Sequence, residues 1–244
     1  MLRAHREIML RFSLFGIPVT IQPWFWVTIA LLGGALHSAT PDALLETLIF
    51  MVVAAISILV HEFGHALTGR RLGGGYPEVV LWAFGGLAYN HGGRFTRWQR
   101  FWMILMGPGA GFLFLGLVAI ALILVFGFQG GCNILTVGAI GKVVFPVSEE
   151  VLAFLQPHHR PWWVVSSVIW INLWWGLINL LPVLPLDGGR IAELWMRTPR
   201  QAYLLSATCA GGVALLFLGR GDLYATLLFG FLAFQSFKHF QELR

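Results

Sequence analysis

Residues 101–128 read FWMILMGPGAGFLFLGLVAIALILVFGF, and no charged side chain interrupts them. Residues 162–186 are likewise free of charge. A helix needs about 20 predominantly apolar residues to cross the hydrocarbon layer of a bilayer, and both runs exceed that length. Composition agrees: 57% of the 244 residues are hydrophobic and 11% are charged, against roughly 45–50% and about 25% in soluble domains. A soluble core cannot hide such a surplus, so the lipid bilayer is the expected solvent for this chain.

Outward from that run, further apolar stretches predict spans at roughly 23–40, 43–69, 101–127, 162–186, 201–219 and 222–239. The first two are separated by the turn-like Ala39-Thr40-Pro41-Asp42, as in a helical hairpin. With this alternation, thirteen of the sixteen Lys and Arg residues fall on one side, Arg3, Arg6 and Arg244 among them. Only Lys142, Arg160 and Arg220 fall on the other, a bias that places both termini in the cytoplasm. Trp98, Trp102, Trp162 and Trp163 stand at span entrances, where amphipathic rings suit the interface. Nucleic acid is not an expected partner, because the basic residues lie between the apolar runs rather than on one face. Cys132 and Cys209 are too far apart in the sequence to read as a disulfide framework or a metal motif. The basic start MLRAHREIMLR lacks a convincing cleavage site after it, so the first span is expected to be retained.

Two stretches read as β-hairpins: residues 8–21 with turn-forming Gly16 and Pro18, and residues 76–90, broken by Gly85-Gly86. Residues 129–161 suggest an outer loop with a short amphipathic helix, and His158-His159 beside Arg160 reads as an ordinary surface pair. The predicted fold is therefore an all-α polytopic membrane protein, with about six transmembrane helices and small membrane-associated β-hairpins. With no repeat and no linker, residues 1–244 are expected to form a single domain. It would comprise the 8–21 hairpin, a core of about 43–190, and extra spans over about 201–239.

Within the second span the sequence runs ISILVHEFGHALTGRR, containing His61-Glu62-x-x-His65. Residues four apart share a helix face, so two imidazoles can meet one metal while Glu62 reaches a water bound to it. The plainer reading makes His61 and His65 packed polar residues of a bundle. A carboxylate within a bilayer, however, costs on the order of 2.5–3.5 kcal/mol on insertion scales, so such residues usually mark function.

A hydrolytic zinc site takes three protein ligands and an open position. Other acids in or bordering the spans are Asp42, Glu46, Asp187, Glu193 and Asp222. Asp42, Glu46 and Asp222 fall at the opposite end. His65 and His61 lie about 7 Å and about 13 Å from the helix end near Arg70, at about 1.5 Å per residue. Asp187, just before the cytoplasmic Arg190, stands at a similar depth. Around it, Asn179-Leu-Leu-Pro182-Val-Leu-Pro185-Leu-Asp187-Gly188-Gly189 should unwind, since the prolines remove helix donors and glycines permit tight turns.

These residues resemble a known family. HEFGH at 61–65, FGG at 84–86 and NLLPVLPLDGG at 179–189 are similar to motifs of the site-2 protease family of intramembrane zinc metalloproteases. The resemblance implies one zinc ion per chain on His61, His65 and Asp187, and Glu62 as general base and acid. It implies that Asn179 holds the substrate or the oxyanion. It implies hydrolysis of peptide bonds within or near transmembrane segments of membrane proteins, as in regulated intramembrane proteolysis. Small size and the lack of targeting signals favour a prokaryotic plasma membrane. Gly107-Pro108-Gly109-Ala110-Gly111 resembles a family motif that often ends in Asn, and Gly111 stands in that place. The spacing of Gly107 and Gly111 also suits close helix approach. No PDZ-like or CBS-like segment is recognised. The alternatives are a membrane metal-ion transporter, or a non-catalytic relative that binds membrane proteins; an intact Glu62 speaks against both.

Overall fold

The structure is a computed structural model that describes residues 9–37, 39–157 and 159–243. Arg3, Arg6, His158, Arg244 and Ile8, the first residue of the expected hairpin, lie outside the described residues. Strands β1 (Leu10–Leu14) and β2 (Ile17–Ile21) precede helix α1 (Pro23–Leu32) and helix α2 (Pro41–Gly73). Strands β3 (Tyr76–Trp82) and β4 (Gly85–His91) follow, then α3 (Arg97–Ile140) and the short α4 (Glu149–Phe154). Helix α5 (Arg160–Trp170) continues through a π-helical turn (Ile171–Trp175) into α6 (Gly176–Asn179). The chain ends with α7 (Asp187–Trp195), α8 (Pro199–Gly219) and α9 (Leu223–Glu242).

Four helical runs among the described residues are long and apolar enough to cross a membrane: Pro41–Gly73, Arg97–Ile140, Arg160–Asn179 and Pro199–Gly219. The chain is thus a mostly helical membrane protein with a small sheet, and the count of about six spans is not reached by this measure. Residues 23–40 do not make one helix. Helix α1 stops at Leu32 before a turn in which Gly34 takes φ 89°. In α3 the helical path breaks at Gly127 (φ 72°, ψ 172°), a conformation open to a residue without Cβ. The helix then resumes to Ile140, so much of the expected outer loop at 129–161 is helical. The short helix expected there is α4, capped by Ser148 Oγ, which accepts from Val151 N.

The chain divides into two compact units, Met1–Phe95 with Met106–Gly176, and Thr96–Leu105 with Leu177–Arg244. In the first unit the two hairpins join in one sheet of order β1-β2-β3-β4. Pairing is antiparallel within each hairpin and parallel between β2 and β3, with Val19 opposite Val79 and Ile21 opposite Leu81. The first turn falls at Phe15-Gly16, both at positive φ, so Pro18 lies within β2 rather than in the turn. Gly85 and Gly86 open β4 instead of breaking the hairpin.

Alternation decides which face is buried. Ile17, Val19, Ile21, Val79 and Leu81 point inward and pack with Phe25, Ile29 and the α2 residues Val53, Ile58, Phe63 and Ala66. Helix α2 is therefore fixed along the stretch that carries the histidines. Its start is set by Thr40, whose hydroxyl accepts from Ala43 N, and by Pro41, with Asp42 in the first turn; Arg70 and Arg71 complement the dipole in the last. Trp163 is buried and donates its indole N–H to Pro157 O, so it is a packing residue rather than an interface anchor.

Asn133 organises the segment after α3. It is fully buried, accepts from Val144 N and Phe145 N at 3.0 and 2.9 Å, and donates to Phe145 O and Pro146 O at 3.1 and 3.4 Å. Replacing it by Leu keeps the volume and removes the side-chain partner of the Val144 and Phe145 amides, at about 0.5–1.5 kcal/mol for each hydrogen bond lost. Asn133→Leu should speed hydrogen exchange at the Val144 and Phe145 amides by up to about tenfold. Unchanged exchange would refute this anchoring role.

Candidate metal centre

In the first unit, α2 places His61, Glu62 and His65 on consecutive turns. His61 and Glu62 are 4% and 5% exposed, and His65 is half-buried. The i, i+4 spacing brings the two Nε2 atoms to 3.2 Å, with ring planes at 79°. Two nitrogens on a tetrahedral zinc, each at about 2.0–2.1 Å, would stand about 3.3 Å apart. The pair has the separation that such an ion requires.

Backbone comes against these side chains wherever a glycine allows it. A Cβ at Gly86, near the start of β4, would fall on the Glu62 carboxyl group, touching its Cγ, Cδ and Oε1. At Gly85 it would sit 3.0 Å from the Trp175 ring, which belongs to the π-helical turn. The FGG stretch is thus read by contact: one glycine seats β4 against Trp175 and the next against Glu62. Gly107 on α3 does the same for His65, since a Cβ there would strike the imidazole Nε2. Gly111, one turn further, faces Asn172, whose Oδ1 lies 3.4 Å from a Cβ built there. Close helix approach at Gly107 and Gly111 is what the structure has, with polar side chains seated opposite both.

In the second unit the helical run stops at Asn179, as Pro182 and Pro185 lead one to expect, and Asp187 opens α7. Leu184-Pro185 is a cis peptide. Asn179 and Asp187 are both buried, at 9% and 7% exposure. Gly188 and Gly189 press the first turn of α7 onto the backbone of Leu180, Leu181 and Val183, where a Cβ would collide. Ser206 of α8 accepts from Leu184 N at 2.8 Å and is hydrogen-bonded to Ser236 of α9 at 2.7 Å. These two helices grip the turn that delivers Asp187.

Among the described residues, the group of His, Cys, Asp or Glu side chains able to hold a metal ion is His61, His65 and Asp187. Their ligand atoms all lie within 4.8 Å of one another. Two imidazole nitrogens and one carboxylate oxygen form a donor set suited to zinc, with a coordination position to spare. The other acids have different places: Asp222 caps α9 by accepting from Ala225 N, Asp42 stands in the first turn of α2, and Glu193 is exposed.

Four polar side chains that hold these segments within their own units are not legible in the sequence. Ser57, Asn172, Ser206 and Ser236 belong to none of the motifs in the sequence. The available signal was a hydrogen-bonding side chain inside an apolar run, which is how His61 and Glu62 attract notice. Gly107→Ala should lower zinc bound to the purified protein by about tenfold, the scale of an orienting contact to a ligand. Gly109→Ala is the control, because a Cβ there stands 3.5 Å from Met106 Sδ, an ordinary contact. Equal zinc in the two variants would contradict the seating of His65 against Gly107.

Comparison with known proteins places this geometry. A Synechocystis sp. protein, sll0528, named as a candidate zinc metalloprotease, is 28% identical over 226 residues, covering 86% of this chain and 51% of that one. The Methanocaldococcus jannaschii protein named zinc metalloprotease MJ0392 is 23% identical over 222 residues, covering 91% of this chain and 53% of that one. The chain spans about half the length of these relatives. Among solved structures, the site-2 protease from Methanocaldococcus jannaschii matches with a TM-score of 0.54 and 18% identity, over 94% of both chains, a likeness of fold. Residues 49–219 match the description of Peptidase family M50. The matched stretch holds HEFGH, FGG and the Asn179 to Gly189 segment, and the chain belongs to Peptidase family M50.

Proposed function

We propose that this chain is an intramembrane zinc metalloendopeptidase. It hydrolyses peptide bonds within or near transmembrane segments of membrane proteins, in the manner of regulated intramembrane proteolysis. The observation that carries the reading is the meeting of His61, His65 and Asp187 within 4.8 Å, with the buried Glu62 next to His61 on α2. Membership of Peptidase family M50 and the zinc metalloprotease names of the relatives support it.

His61 Nε2, His65 Nε2 and an Asp187 carboxylate oxygen would hold one zinc ion. When bound, zinc polarises a carbonyl and makes water a nucleophile near neutral pH. Glu62 takes the proton of the attacking water onto its carboxylate and returns it to the leaving amine nitrogen as the C–N bond breaks. Asn179 donates its amide N–H to the carbonyl oxygen as charge builds there, a contribution typically of about 10²–10³ in rate. A substrate helix keeps its carbonyls in hydrogen bonds, so the cleaved segment must unwind first. Strand β4 is an outer strand of the sheet, and Gly86 holds its backbone against Glu62. An unwound segment added to that edge would lie extended beside the general base.

We further read the whole chain as one protease domain in a prokaryotic plasma membrane, with both termini cytoplasmic and the site opening toward that side. The skewed distribution of Lys and Arg supports the orientation, and the relatives are prokaryotic proteins. Helix α9, with 20 residues and exposed Leu227, Phe231 and Phe234, supports a span beyond the four long apolar ones. Helix α1, with 10 residues, would enter the membrane without crossing it as a helix.

Asp187→Ala should lose zinc and cleavage together. Glu62→Gln should keep zinc and lose about 10²–10⁴ in rate, the scale of general acid–base catalysis. The test compares membrane proteomes of cells carrying the native chain and cells carrying Glu62→Gln. A membrane protein whose truncated fragment disappears in the variant is the expected result, and it identifies the substrate. Normal cleavage by Glu62→Gln would overturn the role of Glu62. Zinc uptake that depends on the native chain, with no protein differing between the cells, would favour a metal transporter.

A further inference from the structure

Behind His61 lies a polar group that the mechanism above does not use. Asn172 is 3% exposed and sits in the π-helical turn Ile171–Trp175, a distortion often found where a helix must aim a functional side chain. Its amide donates to Ser57 Oγ and to Val168 O, each at 2.9 Å. Both amide hydrogens are thereby engaged, and Oδ1 is directed past Gly111, 3.4 Å from where a Cβ would stand. Ser57 is 2% exposed and precedes His61 by one helical turn on the same face of α2. Having accepted from Asn172, its hydroxyl still has an O–H to donate. Ser57, His61, Gly111 and Asn172 all line one small cavity of about 10 Å³, close to the room a single water needs.

Two buried polar side chains from distant parts of the sequence meet here, on the turn that precedes a metal-binding imidazole. Packing alone does not call for them. An Ala and a Leu would fill a helix contact in an apolar bundle without a buried amide to satisfy. Imidazoles that bind metal are usually oriented by a partner on the ring's other side, directly or through a water.

We propose that Asn172, acting through Ser57, is a positioning residue that sets the orientation of the His61 imidazole for the metal. Gly111 is part of the same device, because its missing side chain leaves the space the Asn172 carboxamide occupies. This inference rests on the assignment of His61 as a zinc ligand.

The test uses the full chain purified in detergent, with zinc alone and cobalt alone as probes. Zinc affinity is read by competition with a chelator, and ligand geometry by the visible absorption of the cobalt-loaded protein. Asn172→Leu and Ser57→Ala should each weaken zinc binding by about 10–100-fold and shift the cobalt bands. Ser57→Ala removes a single oxygen and decides the matter if Asn172→Leu does not fold. Gly111→Asn alone should weaken binding, since its carboxamide competes for the same space. The double variant Gly111→Asn with Asn172→Ala should regain native affinity to within a few-fold and restore the cobalt spectrum. Affinities within about twofold of native and unchanged cobalt bands in Ser57→Ala and Asn172→Leu would overturn the proposal and leave the protease reading intact. Losses in the single variants without recovery in the double would reduce Asn172 to a packing residue. A native chain that takes up no zinc would overturn the metalloprotease reading itself.

Discussion

A carboxylate and two imidazoles share little more than one turn of a helix that is otherwise apolar, and they are largely withdrawn from water. On insertion scales, one such charge near the middle of a spanning helix costs about 2.5–3.5 kcal/mol. The rest of the first unit can be understood as the surroundings this burial demands. Helix α2 is held by a sheet whose inward residues pack on the same stretch, so the face bearing His61 and His65 cannot rotate away. Polar and backbone atoms are brought against that face by removing side chains opposite it: Gly86 against Glu62, Gly107 against His65, and Gly111 beside Asn172.

The same economy of side chains governs the approach of Asp187 in the second unit. Two prolines end a helix, a seven-residue turn follows, and two glycines press the new helix onto that turn. Irregular backbone at membrane depth is tolerated where its groups find partners, and Ser206 supplies one to Leu184 N. The Asp187 carboxylate stands in the first turn of α7, at the positive end of that helix. Asp187 is therefore fixed by the polypeptide rather than by the metal it would hold.

Much of this was legible in the sequence because it depends on local chemistry. The apolar runs announced a membrane protein, and His61-Glu62-x-x-His65 announced a candidate metal site on one helix face. Gly16, Gly85 and Gly86 marked the two hairpins, and Pro182 with Pro185 marked the unwinding before Asp187. What could not be read depends on contacts between distant residues. Apolarity alone does not distinguish the broken path of α3 at Gly127 from a helix that ends there. The parallel pairing of β2 with β3 joins two hairpins that look independent in the sequence. Asn172 and Ser206 acquire meaning only from their partners, Ser57 and Leu184 N, far along the chain. The span count turns on where a helix stops: α1 ends at Leu32, after 10 residues.

The central claim is that His61, His65 and Asp187 hold a zinc ion with one position left for chemistry. Zinc X-ray absorption on the purified full chain tests it most directly. The account predicts a first shell of nitrogen and oxygen only, with two imidazoles at about 2.0–2.1 Å and a carboxylate oxygen at about 2.0–2.2 Å. One imidazole should disappear from that shell in His65→Ala. A sulfur neighbour at about 2.3 Å, which would call in Cys132 or Cys209, or a shell that His65→Ala leaves unchanged, would contradict it.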